Sequence, residues 1–209
     1  MLWVSTCESH PGADHPIFLH SHPSLFTGEQ MGTKANSRIV TVTVGAKNYR
    51  VNMDEPILGR HADKDCLVEF FESIGVPYAW GAGDVRNSNE FPRGVVTPNS
   101  KGIRGYDCSG FVIAALVRLG IMDPTKVADD LHSSALVNMS LPVYELEPGD
   151  VLYYPGHVML YIGRGMCMGA TGGRSNTHGT DPNACVKVLP ITYSGGLVCG
   201  CRLKQEYRS

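Results

Sequence analysis

The stretch Tyr106-Asp-Cys-Ser-Gly-Phe-Val-Ile-Ala-Ala-Leu-Val-Arg-Leu119-Gly120 decides the reading of this 209-residue chain. Between Phe111 and Leu119 it is apolar nearly all round, the pattern of a helix buried on every side rather than one lying on a surface. Gly120 ends it, because glycine enters the left-handed conformation that closes a helix without a Cβ penalty. Asp107 or Cys108 then stands at the N-terminus, where backbone N–H groups lack intrahelical partners and the macrodipole is positive. Both effects favour thiolate over thiol, so Cys108 is placed to act as a nucleophile. A cysteine in an apolar helix is ordinarily plain packing. Here it is flanked by Asp107 and Ser109, polar residues that a purely structural core has no reason to admit.

Upstream, Cys66, Leu67, Phe70, Phe71 and Ile74 recur at successive spacings of 1, 3, 1 and 3, which predicts an amphipathic helix over 62–74 closed by Gly75. Residues 81–105 hold five Gly and two Pro and form a long loop, a length that is uncommon unless it serves a site. If it lines such a site, Arg86, Arg93 or Arg104 could meet substrate carboxylates there. Residues 39–51 alternate in strand fashion around Gly45-Ala-Lys-Asn48 and predict a small hairpin. Residues 1–36 carry three Pro and four His with no period that defines a buried face. Downstream of a short helix around 128–137 the texture turns to strands: 151–154, 157–162, 166–170, 185–191 and 197–203. Helices first and then an antiparallel meander give an α+β fold. The chain divides into an arm and hairpin, 1–61, and a catalytic domain, 62–209.

To attack at neutral pH a thiol needs a base. His157 opens a strand directly after the Pro155-Gly156 turn and can project its ring past the sheet edge. A Cys helix facing a His strand is the arrangement that papain-like enzymes use.

Four blocks, Pro77-Tyr-Ala-Trp-Gly81, Asp107-Cys-Ser-Gly-Phe-Val112, Pro148-Gly-Asp-Val151 and His157-Val-Met-Leu-Tyr-Ile-Gly163, occur in the order found in the NlpC/P60 cell-wall cysteine peptidases. The chain resembles that family from about Cys66 to Leu203. The resemblance implies a papain-like NlpC/P60 fold with Cys108 as nucleophile, His157 as general base and Tyr78 as a hydroxyl shaping the oxyanion region. It further implies that Asp107, Ser109 and Trp80 bind substrate, an L-Ala-γ-D-Glu peptidoglycan stem. The family usually has a third polar residue on the strand after the base, where Gly169 stands here; Thr171, Asn176 or His178 could take its part from nearby.

Composition narrows the alternatives. A net charge of −2 leaves no polybasic footprint, so nucleic acid is not an expected partner. The longest apolar run, Phe111 to Val117, is too short to cross a membrane. Seven cysteines without a C-x-x-C pair speak against a disulfide framework, and most are expected to be small buried hydrophobes. Cys199-Gly-Cys201 points two thiols to the same face of a strand. His10, His15, His20 and His22 with Cys7 match no standard zinc spacing, and no metal or cofactor is expected. The N-terminus lacks a basic n-region and an apolar h-region. The expectation is cytoplasmic synthesis, followed by release or delivery to the cell wall, as for a phage lysin or a virion-borne enzyme; the Gly169-Ala-Thr-Gly-Gly173 stretch also resembles phage-encoded members. Residues 1–61 dock on the domain or on a carrier or virion protein. The leading function is a thiol protease that hydrolyses peptidoglycan stem peptides. The alternatives are acyl transfer or amide hydrolysis on a non-wall substrate, and an inactive binding or phage tail structural module.

Overall fold

The computed structural model describes residues 39–44, 46–83, 91–126, 137–194 and 196–209. The histidine-rich N-terminal segment, Arg86 and nearly all of the helix expected around 128–137 lie outside them. Only Val137 of that helix is described, and it begins a strand.

Helix α2, Cys108–Arg118, is the centre of the molecule, with nine of its residues buried. Asp107 caps it: its carboxylate accepts from Gly110 N at 2.8 Å, which meets one of the orphan donors of the first turn. Helix α1, Lys64–Glu72, is shorter than its apolar stripe and begins at Asp63, whose side chain accepts from Cys66 N at 2.7 Å. The two helices join through an ion pair from Arg118 to Glu69 and an aromatic cluster. Phe70 lies 4.8 Å from Phe91 and 6.5 Å from Phe111, centroid to centroid, and Tyr106 meets Phe111 edge-on at 5.5 Å. Each such buried ring contributes roughly 1.5–3 kcal/mol by removal from water.

Among the described residues eight strands fall into two separate sheets. β1 (Ile39–Val44) and β2 (Lys47–Asn52) form the expected hairpin, antiparallel throughout. β3 (Val137–Leu141), β4 (Val151–Tyr154), β5 (His157–Gly163), β6 (Met166–Thr171), β7 (Cys185–Pro190) and β8 (Cys199–Leu203) form one sheet in the order β3-β8-β4-β5-β6-β7. The fold is α+β. The meander holds for β4 to β7; β8 then returns to the open edge of β4, and β3 pairs with its far side. Asp150, buried at the start of β4, explains the return. Its carboxylate takes both Nε and Nη2 of Arg202 on β8 at 2.9 Å, a forked charge-assisted contact that ties the two strands.

Alternation along β5 divides the core. Val158, Leu160 and Ile162 face the helices with Met168, Ala170 and Val186. Met159 and Tyr161 face the other way, where Val42, Tyr49 and Val51 of the hairpin cover them together with Leu152 and Tyr154. The hairpin is therefore docked on the second face of the sheet. The segment after it is fastened too: Leu58 N donates to Ile162 O at 2.7 Å, and Tyr161 Oη donates to Glu55 at 2.9 Å. Cys66, Cys167 and Cys201 are buried and free, as expected of small hydrophobes, whereas Cys185 is disulfide-bonded, which the cysteine spacing had argued against.

Candidate active site

The tip of α2 meets the first residues of β5. The Cys108 sulfur is hydrogen-bonded by the backbone N–H of Val158, the residue after His157, and by the N–H groups of Ser109 and of Cys108 itself. The expected effect of the helix terminus is thus present, since these donors pull the thiol pKa down. Burial, with only 7% of the residue exposed, is the larger influence, and the Asp107 carboxylate adds to it; the thiol is pushed up from its ordinary value. A thiol whose pKa is raised needs a base to deprotonate it.

Tyr78 closes one side. Its hydroxyl is hydrogen-bonded to both the backbone and the side chain of Cys108, and burial drives its own pKa far up. The chain that carries it runs extended between two neighbours: Tyr78 N donates to Ala184 O at 2.8 Å, and Ala79 N to Tyr106 O at 3.0 Å. Gly173 lies flat on the Tyr78 ring, where any Cβ would collide with the ring carbons. Trp80, two residues on, is 45% exposed and offers an open aromatic face.

The two polar neighbours of Cys108 are engaged locally. Asp107 caps the helix and also accepts from Ser109 Oγ at 3.1 Å. Both are part-buried at the helix tip, with Gly83 packed on the Asp107 carboxylate. The described part of the long loop is tied back on itself. Val95 and Gly105 exchange backbone hydrogen bonds at 2.9 and 3.0 Å, Thr97 Oγ1 donates to Gly81 O at 2.7 Å, and Arg104 donates to Gly94 O at 2.8 Å. Arg104 therefore braces the loop, and Arg93 is exposed.

The candidates for a third polar group separate clearly. Asn176 is exposed in the loop after β6. His178 is buried, forms an isolated bridge with Ala79, and its Nδ1 is buried without a hydrogen-bond partner. Thr171 ends β6; running on from the pairs Leu160–Met168 and Tyr161–Cys167 in the same register sets it across from His157. Gly169 is set across from Met159 by the same count, and Met159 sulfur fills the space its Cβ would need. Sequence reasoning missed Tyr193. Its hydroxyl is hydrogen-bonded to Thr171 and lies close enough to Cys108 to feel its charge; burial first, then neighbouring Cys167, push its pKa up to about 12. The Tyr193 ring packs on Tyr154 at 5.1 Å, and Tyr154 packs in turn on the His157 ring at 6.3 Å. It sits in the turn after β7, where no periodicity singles it out.

A sequence model of the NlpC/P60 family matches residues 75–185, slightly over half of the chain, and spans Tyr78, Cys108 and His157. This chain belongs to the NlpC/P60 family. Three mycobacterial relatives illustrate the kinship. Peptidoglycan endopeptidase RipA of Mycobacterium tuberculosis (strain ATCC 25618 / H37Rv) is 25% identical over 220 aligned residues, which cover 93% of this chain and 42% of RipA. Peptidoglycan endopeptidase RipB of the same strain is 31% identical over 150, covering 69% of this chain and 56% of RipB. RipA of Mycolicibacterium smegmatis (strain ATCC 700084 / mc(2)155) is 28% identical over 210, covering 93% and 38% respectively. The chain spans about half or less of the length of these curated relatives. No solved structure gives a significant match.

Proposed function

We propose that this NlpC/P60 chain is a cysteine peptidase that hydrolyses peptidoglycan stem peptides at γ-D-Glu-type amide bonds. One observation carries the reading: the Cys108 sulfur, at the tip of a buried helix, is hydrogen-bonded to the residue next to His157 and to the Tyr78 hydroxyl. Because burial holds the thiol protonated, His157 removes its proton as the sulfur attacks the scissile carbonyl carbon. The carbonyl oxygen gains the charge and is received by donors at the helix tip, with Tyr78 beside them. Collapse of this intermediate breaks the C–N bond, and the imidazolium passes its proton to the leaving amine. Water, deprotonated by His157, then splits the thioester and restores the thiol. Asp107 keeps the helix tip in place, and the open face of Trp80 stacks on the peptide. The names of the mycobacterial relatives support a wall substrate, and the action is on the wall after release or delivery from the cell that makes the protein.

Digestion of a panel of stem peptides with α- and γ-linked acidic residues, read by mass spectrometry, tests this. Cleavage confined to γ-D-Glu bonds, lost in His157→Ala by on the order of a hundredfold or more, is the expected result. Equal cleavage of α-linked peptides removes the bond assignment.

For the third polar position we propose the Thr171–Tyr193 pair, which holds the imidazole in register from across β6. Tyr193→Phe removes one hydrogen bond of about 1 kcal/mol and should lower kcat about fivefold with KM little changed. Thr171→Val should do the same and shift the acid limb of the pH–rate profile. Unaltered kcat in both leaves His157 to be held by other groups.

A second reading, a catalytically idle binding module, is favoured by the raised Cys108 thiol. Iodoacetamide labelling separates the two. In an active enzyme His157→Ala slows alkylation of Cys108 at neutral pH; in an idle one the rate is slow, climbs only as pH passes the raised thiol value, and ignores the substitution.

A further inference from the structure

The pair Cys199-Gly-Cys201 plays no part in the chemistry above, yet its geometry is specific. The two sulfurs lie 3.4 Å apart on one face of β8. Cys199 is half-buried and Cys201 is buried beneath it. Across the ladder, Cys199 faces Tyr153 and Cys201 faces Val151 of β4, while Ser140 of β3 lies on the other side of Cys201. Among the described residues no third His, Cys, Asp or Glu joins them in a group that could cage a metal ion. What remains is a dithiol with one accessible sulfur and one sheltered sulfur.

We propose that Cys199 and Cys201 are a reversible oxidation site that closes to a disulfide within β8 when the protein meets a peroxide. Alternate residues of a strand have Cα atoms about 6.7 Å apart, at the upper end of the separations a disulfide spans. The bond can therefore form with a small pucker of the strand, which Gly200 between them permits, and it is readily reduced again. The order of events follows from exposure. The Cys199 thiolate attacks one peroxide oxygen, breaking the O–O bond, and becomes a sulfenic acid as the other oxygen leaves as water. Cys201 sulfur then displaces the sulfenic hydroxyl, which leaves as a second water with the Cys201 proton. Two thiols and one peroxide give one disulfide and two waters. Cys201 keeps its proton until that second step: burial first, and then its hydrogen bond and charge coupling to Cys199, push its pKa up to about 12. The site is independent of whether Cys108 is catalytic.

The whole chain, treated with graded hydrogen peroxide, then unfolded, alkylated and digested with trypsin, gives a direct readout. Cleavage after Lys187 and Arg202 frees residues 188–202, whose only cysteines are Cys199 and Cys201. The expected result is loss of both alkylation sites with a mass two hydrogens lighter, reversed by dithiothreitol, while buried Cys66 and Cys167 stay alkylatable. In Cys201→Ser the Cys199 sulfenic acid should persist and react with dimedone; in Cys199→Ser no oxidation of the peptide should occur at the same dose. Two alkylated thiols in this peptide at every peroxide dose, or progression of Cys199 to sulfinic acid in the wild type, overturns the proposal.

Discussion

Cys108→Ala is expected to abolish the proposed wall digestion. Removing an activated nucleophile costs on the order of a thousandfold or more in kcat, because what is left is binding and oxyanion stabilisation without a covalent route. The variant should fold as the wild type does. The thiol is a small buried group whose hydrogen bonds come mainly from backbone N–H donors at a helix tip already capped by Asp107. Turbidity of isolated walls and the urea midpoint, measured together, check both halves. Digestion at the wild-type rate by Cys108→Ala sinks the mechanism; loss of the fold in this variant would call for Cys108→Ser in its place, which retains the volume.

Gly110→Ala inverts the usual effect of its class. Replacing glycine by alanine inside a helix normally stabilises by about 0.5–1 kcal/mol. Here the new methyl group would run into the carbonyl oxygen of Ala82 and crowd Gly83 Cα, both backbone atoms that cannot swing aside. Overpacking of that kind costs about 1–3 kcal/mol, so the net result is a lower urea midpoint and a Tm lower by several degrees. The strain falls two residues from Cys108, so kcat should drop by more than the loss of folded protein explains. A raised midpoint would mean that the Ala82 segment yields.

The elements that the sequence revealed are those whose signal is local. The unbroken apolar run of α2, the turn at Pro155-Gly156 and the alternation of β1 and β2 each state their structure within a few residues, and each is found where expected. Strand order is not local. Nothing in residues 197–203 says that they return to β4; the open edge of β4 and the buried Asp150–Arg202 contact decide it. The third polar position is left open by sequence for a related reason. The resemblance puts Gly169 at the family's place and offers Thr171, Asn176 and His178 nearby; only the β5–β6 pairing, run on from Leu160–Met168 and Tyr161–Cys167, sets Thr171 across from His157. Tyr193 reaches the same spot from a turn, where neither period nor motif marks it.

The sheet is clad on both sides, by α2 on one face and by the β1–β2 hairpin on the other, and residues 158–163 of β5 are buried without exception. The strand that carries His157 therefore has no free surface on which to vary. Drift in substrate preference among descendants of this chain has to be written in the loops around the helix tip, such as 79–83, 91–105, 172–179 and 192–194, while the strand itself is constrained to near silence.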